Sequence, residues 1–230
     1  KGYMDQGFTV VKILSVELLM AQEGNYCGPL DWVNELRAVE EKVRQVTRTG
    51  TRAESSAANA LLYDFNRIPH PFTNMHVTEQ GLEQLDEYIG RVRSVIGTKV
   101  PLAIDHFGHF PLPDMIKIAR RLEKYHLAWL EDMLPWYLTG QYGELKHATT
   151  APIATGEDMY LAESFEPLLQ AGALDVVHPD LLTSGGILET KKLGDLAARY
   201  GASMALHMCE SPVSALAGAH MATASENFFA

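Results

Sequence analysis

Cysteine, clustered basic residues and long apolar runs are all scarce in this chain. Only Cys27 and Cys209 are cysteines among 230 residues, which is too few for a disulfide framework and predicts a reducing, cytoplasmic setting. No apolar run approaches the roughly 20 residues that a membrane span needs. The net charge is −10 and Lys and Arg form no run or stripe, so we expect neither a nucleic-acid nor an anionic-membrane partner.

The chain does contain a regular series of apolar runs, each ending in one acidic or imidazole side chain. Between 23 and 27 residues separate one end from the next. That is about the length of a strand, a helix and two short loops, so the series predicts repeated βα units. Such units close into a parallel barrel in which the carboxyl ends of the strands share one mouth. The end residues are Asp105, Glu131, Glu157, Asp180 and His207.

We therefore predict an α/β fold, a parallel (β/α) TIM-type barrel, as one domain over residues 1–230. A complete eight-unit barrel typically needs about 250 residues, so this barrel is expected to be incomplete. Residues 15–75 fit no simple unit beyond an amphipathic helix over residues 30–46, and we interpret them as a long insertion acting as a lid. Strands are expected over residues 8–14, 100–105, 127–131, 153–155, 176–178, 203–206 and 227–230.

Three of the end residues, Asp105, Glu131 and Glu157, are predicted to bind a metal ion. Carboxylate oxygens are the ligands that Mg²⁺ prefers, and three of them leave positions for water and substrate. Each acid taken alone is as readily an ordinary strand-end residue, but three at matched spacing favour a shared site. The adjacent Asp132 and Asp158 are interpreted as supporting or helix-capping groups.

The next two strand ends suggest a base. A carboxylate at Asp180 can hold the imidazole of His207 in one tautomer, although a hydrogen-bonded core histidine is the plainer alternative. Lys12 ends a strand on the far side of the mouth, where it is either a surface charge or a group that holds a substrate carboxylate or donates a proton. His106 and His109 follow the first acid and carry only a weak signal for substrate binding.

These residues together resemble the enolase superfamily, in its mandelate racemase and muconate lactonizing enzyme subgroup. The resemblance covers about residues 95–230 and, more loosely, residues 7–12. It implies that the three acids bind Mg²⁺, that the Asp–His pair abstracts the proton α to a carboxylate, and that the metal stabilises the enediolate formed. The matching stretches read AIDHFGH, AWLEDMLPW, IATGEDMY, VVHPDLLTSGGILETKK and ALHMCESPVSALAGAHMATA.

The chain departs from that family in three respects. The family often carries Lys-x-Lys on the second strand, whereas this chain has Lys12, Ile13 and Leu14, so the resemblance implies one base rather than two-base racemisation. The family's capping domain and last barrel strand have no counterpart here, so we expect the chain to be part of a longer protein. The insertion over residues 15–75 is longer than usual.

The resemblance and the residues together predict an Mg²⁺-dependent lyase, a dehydratase acting on an acid sugar or related hydroxy acid as its small-molecule partner. A homo-oligomer is a family expectation. A cycloisomerase of an anhydro-sugar acid or lactone would share every residue named above. A non-catalytic barrel that binds a carboxylate would keep the scaffold without the reaction. A two-metal hydrolase fits less well because no HxH pair occurs on the first visible strand.

Overall fold

The computed structural model describes residues 4–7, 9–14, 24–27, 30–67, 75–105, 110–209 and 211–230. Its strands are β1 (Val11–Leu14), β2 (Tyr26–Cys27), β3 (His76–Val77), β4 (Leu102–Asp105), β5 (Trp129–Glu131), β6 (Ile153–Thr155), β7 (Val176–Val177) and β8 (Ser203–Met204). Its α-helices are α1 (Leu30–Thr49), α2 (Arg52–Arg67), α3 (Glu79–Ile96), α4 (Leu112–Leu122), α5 (Thr139–Ala148), α6 (Leu161–Gln170), α7 (Ile187–Arg199) and α8 (Pro212–Thr223). Short 3₁₀ turns span Met4–Gln6 and Glu123–Tyr125.

One parallel sheet organises the molecule, with strand order β1, β4, β5, β6, β7, β8. A helix follows each strand from β4 to β8 along the chain, which is the predicted βα order. Beyond β8, the amide of Phe229 donates to the Met204 carbonyl and the amide of Leu206 donates to the Ala230 carbonyl, so the last residues continue the sheet. The predicted α/β class and partial parallel barrel are confirmed.

The two faces of the sheet carry side chains of different size. On the outer face, large residues such as Leu102, Ile104 and Leu130 are buried in the main core, which also includes residues from the helices. The inner face is a separate and smaller cluster of mostly short side chains. The members of this inner cluster are Ala103, Trp129, Ala154, Val176 and Ala205. Because side chains alternate along a strand, residues two positions after an inner residue also point inward.

Helix α3 is capped at both ends. The hydroxyl of Thr78 accepts a hydrogen bond from the Gly81 amide at 3.1 Å, and Gly97 ends the helix with a φ of 75°. Gly81 is required by packing, since a Cβ there would lie 2.1 Å from the carbonyl oxygen of Asn25. Among the described helices, none is long and apolar enough to cross a membrane.

The segment over residues 15–75 contains more helix than predicted. Helix α1 runs to Thr49, and α2 occupies a stretch that we had interpreted as a polar loop. The start of α2 is a reciprocal cap: the amide of Thr51 donates to the Glu54 carboxylate at 2.7 Å, and the Glu54 amide donates to the Thr51 hydroxyl at 3.3 Å. The Thr-x-x-Glu spacing was therefore a usable helix signal. A lid role for this segment stays a prediction.

Candidate active site at the carboxyl ends of the strands

Two predicted metal ligands meet around the ammonium group of Lys12. Lys12 pairs with Ala103 in the β1–β4 register, so it lies on the inner face of the sheet, beside the residue two positions before Asp105. Its Nζ donates to Glu131 Oε1 at 2.5 Å and lies 3.2 Å from Asp105 Oδ2. Both carboxylates are buried, whereas the lysine side chain is 32% exposed. The sequence prediction that β1 contributes to the same mouth agrees with this contact.

Glu131 is held as an anion by its neighbours. Trp129 Nε1 donates to Glu131 Oε2 at 2.7 Å, and His178 Nε2 lies 3.2 Å from Oε1. Burial by itself raises the pKa of Glu131, but the imidazole of His178 and the ammonium of Lys12 outweigh it and lower the pKa to about 2. Burial and the charge of Glu131 raise the pKa of the Asp105 carboxyl, even though Lys12 acts in the opposite direction. The two acids therefore differ in how firmly they are ionised.

Asp132 lies beside Asp105 and Glu131 because its backbone conformation is unusual, and these three residues are called the acid cluster below. Its φ is 48°, a left-handed conformation that breaks the alternation of the strand. One carboxyl oxygen accepts a hydrogen bond from the Thr155 hydroxyl, while Oδ2 is buried and has no hydrogen-bond partner among the described residues. Burial and the charges of Glu157, Glu131 and Asp105 raise the pKa of Asp132 well above its ordinary value. One ligand atom from each of Asp105, Glu131 and Asp132 lies within 4.8 Å of the other two.

Glu157 reaches the mouth because a glycine precedes it. Alternation from the inner residue Ala154 would direct Glu157 outward, but Gly156 has a φ of 148° and interrupts the pattern. A Cβ at Gly156 would lie 2.6 Å from Phe165 Cε1, so the position admits no side chain. Burial raises the pKa of Glu157, and so do the charges of Asp105 and Glu131, which places it in the same electrostatic environment.

His207 links Glu157 to Asp180. Its Nδ1 lies 2.8 Å from Asp180 Oδ2, and its Nε2 lies 3.1 Å from Glu157 Oε2. The buried Asp180 is held in place because its Oδ1 accepts the Leu182 amide at 2.8 Å. Residues 180 and 207 also form a parallel β-bridge, so the backbone itself brings the two side chains together. The two side chains that the sequence paired are therefore in contact, and the role of His207 as a base stays a prediction.

The predicted site residues thus divide into two connected groups. Lys12, Asp105 and Glu131 form the first group, and Glu157, Asp180 and His207 form the second. His106 and His109 lie outside the described residues. His178, which has the same strand parity as Asp180, lies between the groups, with its ring centroid 5.8 Å from that of His207.

Sequence reasoning missed the positions of three side chains. Asp132 was interpreted as a supporting or capping group, and its place beside the metal ligands depends on a φ that no pattern announces. Trp129 was not among the predicted site residues, although its position two residues before Glu131 indicates the same inward face. Cys209 was given no role, yet its ligand atom lies within 4.8 Å of those of Asp180 and His207.

The acid cluster fits a hard divalent cation by the chemistry of its donors. It offers carboxylate oxygens only, one of them the buried Oδ2 of Asp132, and an ammonium already lies between two of the carboxylates. Five carboxyl groups surround the mouth in the described part of the chain, namely Asp105, Glu131, Asp132, Glu157 and Asp180. The ammonium of Lys12 offsets part of the negative charge that these groups carry, and a bound cation would offset more of it.

Fold and site together define a partial (β/α) barrel with an acid cluster and a His–Asp pair at one mouth. The chain belongs to the enolase C-terminal domain-like family, whose family model matches residues 1–230. The predicted resemblance to the enolase superfamily is therefore confirmed.

Individual relatives agree with this assignment. The chain is 30% identical over 204 residues to a D-xylonate dehydratase of Haloferax volcanii, across 87% of this chain and 48% of that protein. A mandelate racemase/muconate lactonizing enzyme-like protein from Rubrobacter xylanophilus has a TM-score of 0.65 and 33% identity, across 66% of this chain and 39% of that one. The 3,6-anhydro-D-galactonate cycloisomerase from Zobellia galactanivorans has a TM-score of 0.61 and 29% identity, across 64% of this chain and 42% of that one. The chain spans about half, or less, of the length of these proteins.

Proposed function

We propose that the protein to which this chain belongs is a sugar-acid dehydratase that uses Mg²⁺. The observation that carries the proposal is the imidazole of His207, held by Asp180 on one nitrogen while its other nitrogen faces the carboxylates of the mouth. A named dehydratase of a sugar acid among the relatives gives the substrate class. The reaction is abstraction of the proton α to the substrate carboxylate, followed by loss of the β-hydroxyl group.

His207 is the base in this proposal. The carboxylate of Asp180 accepts a hydrogen bond from Nδ1–H, which leaves Nε2 as the nitrogen that takes the α-proton. The protonated imidazole is then placed to return a proton to the departing hydroxyl. Glu157 lies 3.1 Å from Nε2, so it must turn away before the nitrogen can act. The charges of Asp105 and Glu131 already act on Glu157, so a cation bound by all three carboxylates would draw Glu157 away from the imidazole.

Asp105, Glu131 and Glu157 would hold the cation. When bound, Mg²⁺ supplies positive charge that stabilises the negative charge developing on the substrate carboxylate. We assign Glu157 rather than Asp132 as the third ligand, because Asp132 already accepts the Thr155 hydroxyl and burial raises the pKa of its carboxyl, which disfavours the charged form that binds a cation. Lys12 would leave the two acids and pair with the carboxylate of the substrate.

Hydrogen exchange tests the proposed reaction directly. A library of acid sugars would be incubated with the protein in D₂O, with Mg²⁺ or with EDTA, and followed for deuterium at the α-carbon and for 2-keto products. We expect both signals only with Mg²⁺, and loss of both in His207→Asn and in Glu157→Gln. The matched control is His147→Asn, since His147 is exposed on α5, where its Nδ1 lies 2.6 Å from the Gly143 carbonyl oxygen of the same helix. Full activity in Glu157→Gln would contradict the ligand assignment.

A cycloisomerase is the second candidate, and the structural likeness to the Zobellia galactanivorans enzyme is the observation in its favour. The same base and acids would serve it, so the two reactions differ in the substrate rather than in the residues. An anhydro-sugar acid that isomerises without loss of water would identify this activity. A barrel that only binds a carboxylate would show no α-exchange with any member of the library.

Setting and assembly complete the proposal. Both cysteines are exposed thiols, which suits a reducing cytoplasm. A homo-oligomer is the family expectation, and light scattering on the purified protein measures it.

A further inference from the structure

A second group of metal-binding side chains lies next to the acid cluster, at the carboxyl end of β8. It consists of Asp180, His207 and Cys209, and one ligand atom from each lies within 4.8 Å of the other two. The three residues differ in burial: Asp180 is buried, His207 is partly buried and Cys209 is exposed. None of the steps proposed above uses the thiol.

The chemistry of these donors differs from that of the acid cluster. Sulfur, imidazole nitrogen and carboxylate oxygen together form a mixed set of the kind that binds Zn²⁺, whereas oxygen alone suits Mg²⁺. Zn²⁺ holds its ligands at about 2.0–2.3 Å, so tetrahedral ligand atoms lie roughly 3.3–3.7 Å apart. A separation at the observed limit of 4.8 Å must therefore contract by about 1.1–1.5 Å. Cys209 can supply that movement by rotation of its exposed side chain, while Asp180 and His207 stay in their β-bridge.

The surroundings favour a cation at this position. A cavity of about 180 Å³ borders Asp180 and His207, and apart from these two its lining is apolar except for Ser214. It leaves room for a water molecule as the fourth ligand. Low surrounding polarity strengthens the attraction between a cation and the carboxylate. Among the described residues, no Lys or Arg side chain forms an ion pair with Asp180 or competes with a cation beside His207.

We propose that Asp180, His207 and Cys209 form a binding site for Zn²⁺ or a similar borderline cation, separate from the Mg²⁺ ligands. On binding, the Cys209 thiol releases its proton to solvent and the thiolate becomes a ligand. Nδ1 of His207, the nitrogen beside Asp180, becomes the imidazole ligand as its proton moves to Nε2, which gives the other neutral tautomer. The cation then occupies the imidazole of His207. If His207 is the base, as the proposed function requires, occupancy stops proton abstraction. Binding itself does not depend on that function.

Cobalt spectroscopy tests the site without any need for turnover. The full chain is titrated with Co²⁺ in a non-thiol reductant, with saturating Mg²⁺ to fill the proposed Mg²⁺ site. The titration is followed by the thiolate-to-cobalt charge-transfer band. In the wild type and in Cys27→Ser we expect the band to saturate at one equivalent of Co²⁺ and to disappear when Zn²⁺ is added. In Cys209→Ser we expect no band. Cys27 is the matched control because it is the other exposed thiol and lies on β2.

Inhibition measurements then separate this proposal from the proposed function. With Mg²⁺ present, Zn²⁺ should inhibit the wild type and Cys27→Ser, and at least about tenfold more Zn²⁺ should be needed for Cys209→Ser, each compared with its own zinc-free rate. Absence of the band in the wild type, or its persistence in Cys209→Ser, overturns the site. A band that follows Cys209 without inhibition upholds the site and contradicts the role of His207 as base.

Discussion

Replacement of Lys12 by methionine is the most direct test of the charge arrangement at the mouth. The change keeps most of the length of the side chain and removes the ammonium between Asp105 and Glu131. At 3.2 Å and an effective dielectric constant of 20, one such pair has a gross attraction of about 5 kcal/mol before desolvation is subtracted. Breaking a buried ion pair costs about 3–5 kcal/mol. Because the lysine is 32% exposed, we expect the low end, about 3 kcal/mol.

The loss should depend on the metal. In EDTA, Lys12→Met leaves two buried carboxylates with less compensation, so the free energy of unfolding should fall by that amount. With Mg²⁺, most of the loss should be recovered, because the cation takes the position of the ammonium. Mg²⁺ should also bind the variant at least about tenfold more tightly, since no ammonium competes for the same oxygens and each 1.4 kcal/mol is a factor of ten.

Urea unfolding with and without Mg²⁺, together with calorimetric titration of Mg²⁺, measures both effects. Lys99→Met is the matched control: Lys99 is exposed, and removal of its charge should change the free energy of unfolding by less than about 0.5 kcal/mol. The reasoning is refuted if Lys12→Met is as stable as the wild type in EDTA. It is also refuted if Mg²⁺ stabilises the two proteins equally, because the ammonium and the cation would then not share a position.

Three further predictions concern pH, ligand choice and packing. In EDTA, the free energy of unfolding should fall as pH rises above about 4.5, because the raised pKa values of Asp105, Asp132 and Glu157 make the folded state hold more protons than the unfolded state. Urea midpoints measured from pH 5 to 8 should show this fall, and Mg²⁺ should make it less steep. Glu157→Gln should weaken calorimetric Mg²⁺ binding by at least about tenfold and Asp132→Asn by less, and the reverse order would make Asp132 the third ligand. Gly81→Ala should lower the free energy of unfolding by about 3 kcal/mol, because the new Cβ would clash with a backbone carbonyl. Gly143→Ala should raise it by up to about 1 kcal/mol, because Gly143 has open space around it in α5. Equal effects of the two substitutions in thermal melts would contradict the packing described.

The sheet and the inward direction of most site residues could be predicted from sequence because both follow from short-range periodicity. The spacing of the apolar runs predicted the βα order, and alternation from the inner residue Ala103 is enough to direct Asp105 inward. The same rule holds from Ala205 to His207, just after β8. Strand direction and alternation are local properties, so a single sequence contains them.

Features that depend on special backbone angles or on contacts between distant residues could not be predicted. Glu157 reaches the mouth only because Gly156 interrupts alternation, and Asp132 joins the acids only through a positive φ. The short contact between Lys12 and Glu131 joins positions 119 residues apart. Helix α2 is a different case, because its capping signal was present in the sequence and was outweighed by the polar composition around it.

These distant contacts connect the cation, the base and the substrate to one another. In the described structure Lys12 is paired with Asp105 and Glu131, and His207 Nε2 lies against Glu157. Neither the lysine nor the imidazole can do its proposed work in that arrangement. A divalent cation bound by the three carboxylates would release both at once, the ammonium toward a substrate carboxylate and the nitrogen toward an α-proton. We infer that metal binding and availability of the base are coupled, so the reactivity of His207 toward diethyl pyrocarbonate should rise when Mg²⁺ is added and should not change with Mg²⁺ in Glu157→Gln. Equal reactivity with and without Mg²⁺ in the wild type would show that the two groups of site residues act independently.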